Sequence, residues 1–211
     1  MTLNPVTTVT GRAVPFMVSN VDTDVIIRVE RMTSTDPALL APWAFEALRY
    51  DADGKPKEDF VLNDARYADA PILVAGENFG CGSSREPAVW AVMGLGIRCV
   101  IAPSFGDIFR SNCLTNGVLA VALDGSTVDA LARAASRLGE VTVDLPAQEV
   151  RAAGKTWHFE IGATHKMMLI EGMDEMALSL RIADKVADWE AEDRQRHPWA
   201  WLSSSRAEAP R

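Results

Sequence analysis

Cysteine is scarce in this chain. There are three in 211 residues, Cys81, Cys99 and Cys113, an odd number with no C-x-x-C pair. That excludes the disulfide framework of a small secreted domain. Long apolar runs are missing too: no uninterrupted stretch, that at 118–123 included, exceeds six residues, against the ~20 that span a bilayer. Positive charge is in deficit, with 21 Lys and Arg against 29 Asp and Glu, a net −8. That is the wrong sign for a surface that displaces counterions from nucleic acid. The first fifteen residues lack a basic start and an apolar core, so no secretory signal is expected. Reduced thiols and a cytoplasmic location are the expectation. What is present, 48% hydrophobic and 24% charged residues, is the composition of a soluble globular protein with no membrane partner. No internal repeat or low-complexity tract is found.

Along the chain, residues 1–30 read as extended segments, one at 6–10 and another at 24–29 after the turn-like Asn20-Val-Asp-Thr23. Thr33-Ser-Thr-Asp-Pro37 has the form of a helix start with Pro37 just inside it. Residues 51–59 are polar, hold Gly54 and Pro56, and read as an exposed loop. From residue 70 the pattern sharpens. Short apolar runs at 71–75, 99–102 and 118–123 alternate with helical stretches at 85–93, 104–112 and 126–138, the last with Ser126 as its cap. Strand, helix, strand, helix, strand predicts parallel pairing with crossover helices. Segments 141–145, 149–152 and 156–161 read as a separate antiparallel meander, and 174–190 as one long helix. The expected fold class is α/β with a β-rich flank, one domain over residues 1–200 and a frayed tail at 201–211.

The segment Gly80-Cys-Gly-Ser-Ser-Arg-Glu86 carries the chemistry. It joins the C-terminal end of a buried strand to the start of a helix, where ligands of open α/β sheets settle. A helix start presents unpaired N–H groups and positive partial charge to an anion. Glycines let the backbone approach a ligand closely. Ser83 and Ser84 add hydroxyls, and Arg85 a guanidinium fork suited to a carboxylate. A small acid with more than one carboxylate fits that layout. Gly-Ser-Ser before a helix is also an ordinary cap, however, and Arg85 can pair with Glu86 or a neighbouring acid, so spacing alone leaves both readings open.

Other motifs are excluded. Position 85 is not glycine, so the dinucleotide fingerprint fails, and there is no G-x-x-x-x-G-K-[ST] phosphate loop. Ser84 lacks the flanking glycines of a hydrolase elbow, since Glu86 stands two places on. His158, His165 and His197 all lie in the last quarter of the chain; no spacing links them to Cys81, and they read as surface or structural residues. Cys99, in a strand, reads as a small core residue. The cluster Asn20-Val-Asp-Thr-Asp24, taken alone, reads as a turn whose side chains bond the backbone.

Taken together, four segments resemble a known family. Asn20-Val-Asp-Thr-Asp24 with Ile26-Ile27, Asp59-Phe-Val-Leu-Asn63, Asn78-Phe-Gly-Cys-Gly-Ser-Ser-Arg-Glu86, and Val100-Ile-Ala-Pro-Ser-Phe105 through Asn112 and Asn116-Gly117 are similar, in order, to the small subunits of 3-isopropylmalate dehydratase. These belong to an aconitase-superfamily hydro-lyase of leucine biosynthesis. The resemblance implies a swivelling β/β/α domain like the mobile last domain of aconitase. It implies a heterodimer with a large subunit that carries a [4Fe-4S] cluster, and no cofactor or metal bound by this chain. By matched position, Ser83 is implied as the base that takes the carbon-bound proton, its alkoxide stabilised by N–H groups of Ser84 and Arg85. Arg85 is implied to clamp a substrate carboxylate and Ser84 to add a hydrogen bond. Asp24 is implied as a carboxylate near the substrate hydroxyl, with Thr23 supporting it and Asp22 shaping the turn. Trp189, Trp199 and Trp201 are expected either in a docking face or closed onto their own core.

The chain departs from the family pattern at several places, the stretch 28–43 as a whole among them. Pro87 stands where the family has His, and Arg28 where it has Pro. Residues 164–172 replace a typical Arg-Lys-His-Cys-Leu-Leu-Asn-Gly. Arg28 and Arg31 fall in the stretch 28–43 that, by resemblance, touches the variable group of the substrate. Besides isopropylmalate, the readings therefore include another substituted malate (methylmalate/citraconate or dimethylmalate) and a non-catalytic carboxylate-binding domain.

Overall fold

Alternation of side chains across a short strand explains why so many runs in this sequence are apolar at every position. The computed structural model describes residues 3–82 and 85–201; Ser83, Ser84 and the expected tail from 202 onward lie outside the described residues. Two compact units are present, Met1–Asp174 and Glu175–Arg211. In the first, β1 (Thr8–Phe16) leads to short helices α1 (Thr23–Ile26), α2 (Pro37–Leu40) and α3 (Glu46–Arg49). There follow β2 (Ile72–Ala75), α4 (Glu86–Gly94), β3 (Cys99–Ala102), α5 (Asp107–Thr115), β4 (Leu119–Ala122) and α6 (Gly125–Ser136). Strands β5 (Glu140–Asp144), β6 (Glu149–Ala152) and β7 (Lys155–His158) precede α7 (Ala163–Glu171). The second unit holds α8 (Glu175–Leu180) and α9 (Ala183–Arg196).

The strands form one curled sheet in the order β4-β3-β2-β1-β5-β6-β7. The expected meander is antiparallel but not separate, because β1 is long enough to serve both halves. Its residues 13–16 pair in parallel with β2, and its residues 8–12 pair antiparallel with β5. Period-two alternation sends Leu73, Ala75, Val100 and Ala102 to one core, with Phe16, Phe45, Phe79 and Phe109. Ile72, Val74, Cys99 and Ile101 go to the other, with Val128 and Leu131 of α6. Both faces are covered, so β2 and β3 are buried at every residue.

Local chemistry corrects several other expectations. The run 24–29 is not extended: Asp22 Oδ1 accepts the Val25 N–H at 2.8 Å and caps the single turn of α1. Helix α5 begins at Asp107 rather than 104, because Ser104 is engaged by the preceding loop through its hydroxyl and carbonyl. Helix α7 occupies the departing stretch 164–172 and ends at Gly172, φ 65°. The expected long C-terminal helix is two helices, interrupted where the Arg181 and Ile182 N–H groups bond three residues back; no breaker residue marks the interruption. Within the second unit, Trp189 and Trp199 are exposed, whereas Trp201 is half-buried and donates to Asp193 Oδ2 at 3.0 Å.

Asp124, not Ser126, caps α6. Its carboxylate accepts the Ser126 and Thr127 hydroxyls at 2.5 and 2.6 Å and the Thr127 N–H at 2.9 Å. These bonds, the Ser126 hydroxyl foremost, lower its pKa from 3.8 to about 2. A depressed folded value means the stabilisation is complete above the unfolded pKa and is lost as pH falls through about 2. Asp124→Ala is therefore expected to lower the melting temperature at neutral pH, and to shrink that difference progressively below pH ~4. Thermal melts of both proteins across that range check it.

Candidate active site

Three loops leave the C-terminal ends of β1, β2 and β3, and hydrogen bonds stitch them into one platform. Between the first two, the Asn20 N–H donates to Glu77 O at 2.8 Å, the Gly80 N–H to Val21 O at 2.7 Å, and the Thr23 N–H to Cys81 O at 2.9 Å. Asn78 Nδ2 donates to Asn20 Oδ1 at 2.9 Å. Both asparagines adopt positive φ, 57° and 56°, a conformation asparagine tolerates better than most residues. The third loop joins through the Asn78 N–H to Ser104 Oγ at 2.9 Å, and through the Gly106 N–H to Phe79 O at 3.0 Å. A side chain on Gly106 would sit 2.4 Å from the Gly80 carbonyl oxygen, so this crossing needs glycine.

That platform brings together two residues far apart in sequence. Asp24 lies in the first turn of α1 with its side chain 58% exposed. Arg85 is the N-cap residue of α4, and its side chain is 25% exposed. Arg85 Nη1 lies 2.7 Å from Asp24 Oδ1. The partner is neither Glu86 nor an acid neighbouring it in sequence, the two options expected from sequence, but an acid from a different loop. A half-exposed pair of this kind contributes only about 0–1 kcal/mol. Thr23 is buried under the turn. Gly82, exposed with φ 94°, closes on the same turn: a Cβ there would meet Asp22 Cβ at 3.3 Å. Ser83 and Ser84 connect Gly82 to Arg85 and lie outside the described residues.

The two arginines expected near the variable group behave differently. Arg31 is committed: its guanidinium donates to Glu46 Oε2 at 3.0 Å and Oε1 at 2.5 Å, and lies 3.6 Å from the Trp43 ring centroid. The same hydrogen bonds hold the Glu46 carboxyl below its usual pKa. Arg28 is exposed, 3.5 Å from Glu30, and lines a 770 Å³ cavity with Trp43, Glu46, Tyr50 and Lys57. None of that cavity's described lining residues belongs to the Asp24–Arg85 pair.

Two of the three thiols are poorly suited to hold a metal. Cys99 and Cys113 are fully buried, and desolvation pushes both thiols up, against the thiolate a metal needs. Among the described residues, no group of three His, Cys, Asp or Glu is placed to hold a metal ion. Among those residues, no helix is long and apolar enough to cross a membrane. His158 is exposed, His165 lines a separate small cavity, and His197 contacts Asp193 at 2.8 Å. Sequence reasoning quoted Asn20, Asn78 and Ser104 within the family-like segments but gave them no role, and it passed over Gly106. Their part in joining the loops has no local mark, since it rests on hydrogen bonds between segments far apart in the chain.

Comparison with known proteins covers most of the chain. Residues 3–126 match the family model of the aconitase C-terminal domain, and residues 129–163 match LeuD_N. The 3-isopropylmalate dehydratase small subunit of Jannaschia sp. is 46% identical over 196 residues, covering 92% of this chain and 98% of its own. That of Rhodospirillum centenum is 44% identical over 197 residues, with 92% and 97% covered. A crystal structure of 3-isopropylmalate dehydratase from Methanocaldococcus jannaschii superposes with a TM-score of 0.64 at 29% identity, covering 86% of this chain and 99% of that one.

Proposed function

Since this chain belongs to the family of 3-isopropylmalate dehydratase small subunits, we propose that it is half of a two-chain hydro-lyase interconverting 2- and 3-isopropylmalate by dehydration and rehydration. On this reading residues 1–200 act as one aconitase-type swivel domain in the cytoplasm. The large subunit would carry a [4Fe-4S] cluster, which would supply Lewis acidity there. The observation that carries the reading is the meeting of Asp24 and Arg85, 2.7 Å apart, where the Gly80–Arg85 segment enters α4.

The roles are those the family resemblance implies, and the Asp24–Arg85 contact supports them at those two positions. The substrate carboxylate replaces Asp24 on the Arg85 fork, where two parallel N–H bonds orient a malate skeleton. Ser83 Oγ takes the proton from carbon; the C–H pair becomes the double bond as the hydroxyl leaves the neighbouring carbon. Rehydration with the two carbons exchanged gives the isomer. A serine alkoxide is costly, and the N–H groups of Ser84 and Arg85 at the helix start, with the Arg85 charge, lower that cost. Ser84 adds a hydrogen bond to substrate, and Asp24, released from Arg85, faces the departing hydroxyl with Thr23 bracing its turn. Arg31, held by Glu46 and Trp43, shapes the wall of the variable-group loop, and Arg28 is the cation left to tune it.

Assay of the chain reconstituted with the large subunit against 2-isopropylmalate, methylmalate and dimethylmalate tests this. Preferential turnover of isopropylmalate is expected. Good turnover of a methylmalate with none of isopropylmalate would transfer the same machinery to another substrate.

A further inference from the structure

Glu86 poses a problem for the proposed site. It follows Arg85 directly, opens the first turn of α4, and is exposed. A carboxylate there is attracted both to the adjacent guanidinium and to the positive end of the helix, which are the two groups a substrate carboxylate needs. In the structure it is turned elsewhere. Asn116 Nδ2 donates to Glu86 Oε1 at 2.8 Å. The same carboxamide donates to Asn112 O at 2.9 Å, and its Oδ1 accepts the Trp90 Nε1–H at 2.8 Å. Indole can only donate and a carboxylate can only accept, so these partners fix which end of the amide faces which. Asn116 is itself held as the C-cap of α5, its N–H on Asn112 O and Cys113 O at 3.1 and 3.2 Å. Glu86, Trp90 and Asn116 line one cavity, whose described lining includes neither Asp24 nor Arg85.

We propose that Asn116 is a positioning residue that holds the Glu86 carboxylate away from Arg85, leaving the guanidinium to the substrate. The inference rests on the reading of Arg85 as the carboxylate clamp. Asn116 touches no reacting atom; it acts by removing an internal competitor.

The test uses the full chain reconstituted with its large subunit, with 2-isopropylmalate as the probe. Asn116→Asp keeps the size and the acceptor for Trp90 but sets a second carboxylate against Glu86 and expels it. Its KM is expected to rise about tenfold with kcat within about twofold of the parent. Glu86→Gln alone keeps an acceptor for Asn116 and is expected to stay within about twofold. Combining the two substitutions reverses the hydrogen bond, the amide now at 86 donating to the acid now at 116, and should return KM to within about twofold. If Asn116→Asp does not fold, Asn116→Ala with and without Glu86→Gln makes the same comparison, since removing the charge should relieve KM even with no bond remade. A raised KM that persists in the double variants means a structural role only and overturns the inference, as does an unchanged KM in the Asn116 single variants. Arg85→Gln separates the two readings. If it leaves KM unmoved, the clamp itself is wrong. If it raises KM while Glu86→Gln relieves nothing, only the role of Asn116 falls.

Discussion

Ser83→Ala in the reconstituted enzyme is expected to lower kcat about 10²-fold or more while KM changes little. A positioned base contributes typically 10²–10⁴-fold, and a group used only in the transition state lowers kcat and kcat/KM together. The flanking residues support the assignment. Gly82 is exposed in a conformation only glycine adopts readily, and Arg85 is the N-cap residue of α4, so Ser83 directly follows the one and comes two residues before the other in the chain. The alanine methyl occupies the same space as the hydroxymethyl less its oxygen, so folding and docking to the partner should persist; co-purification with the large subunit checks that. Activity surviving within a few-fold would remove Ser83 as the base and return the non-catalytic carboxylate-binding reading to the front.

Gly80→Ala is expected to be the most damaging single methyl in this platform. Gly80 has φ 71°, and an added Cβ would stand 2.2 Å from Phe109 Cγ and 2.6 Å from Phe109 Cβ. Swinging the ring away gives no relief, because the Phe109 Cβ moves only with the α5 backbone. The ring is also buried edge-on against Phe79 with centroids 5.4 Å apart. Backbone strain and overpacking together should cost about 3 kcal/mol or more, which in a chain of this size lowers Tm by roughly 6–12 °C. Gly54→Ala provides the comparison. It has a similar φ of 76° but nothing within 4 Å of the added carbon, so only the conformational cost of about 1–2 kcal/mol applies. Urea unfolding of the two variants should differ clearly in midpoint with equal slopes. Equal midpoints would mean that the Gly80 loop is not pressed onto α5.

Much of this protein could be read from short-range patterns. The buried runs at 72–75, 99–102 and 119–122 became strands because continuous apolar residues bounded by turn signals leave few alternatives. Asp36 and Pro37 opened α2 as expected, since a cap and a fixed φ act within one turn. Asp22 shows the limit of such patterns. The β-branched run after it suggested a strand, yet one side-chain acceptor made it a helical turn.

The amino-acid sequence by itself determined the parallel α/β core, the strand-to-helix setting of Gly80–Glu86, and the family, because each depends on residues adjacent in the chain or on motifs kept in order. Only the tertiary structure decided that β1 joins the two halves of the sheet, that Arg85 takes Asp24 rather than Glu86, that Arg31 is spent on Glu46 and Trp43, and that Asn116 holds Glu86. Those choices are made between groups brought together by loops crossing over the sheet. A charged side chain carries no local mark of which opposite charge the folded backbone will bring within 3 Å.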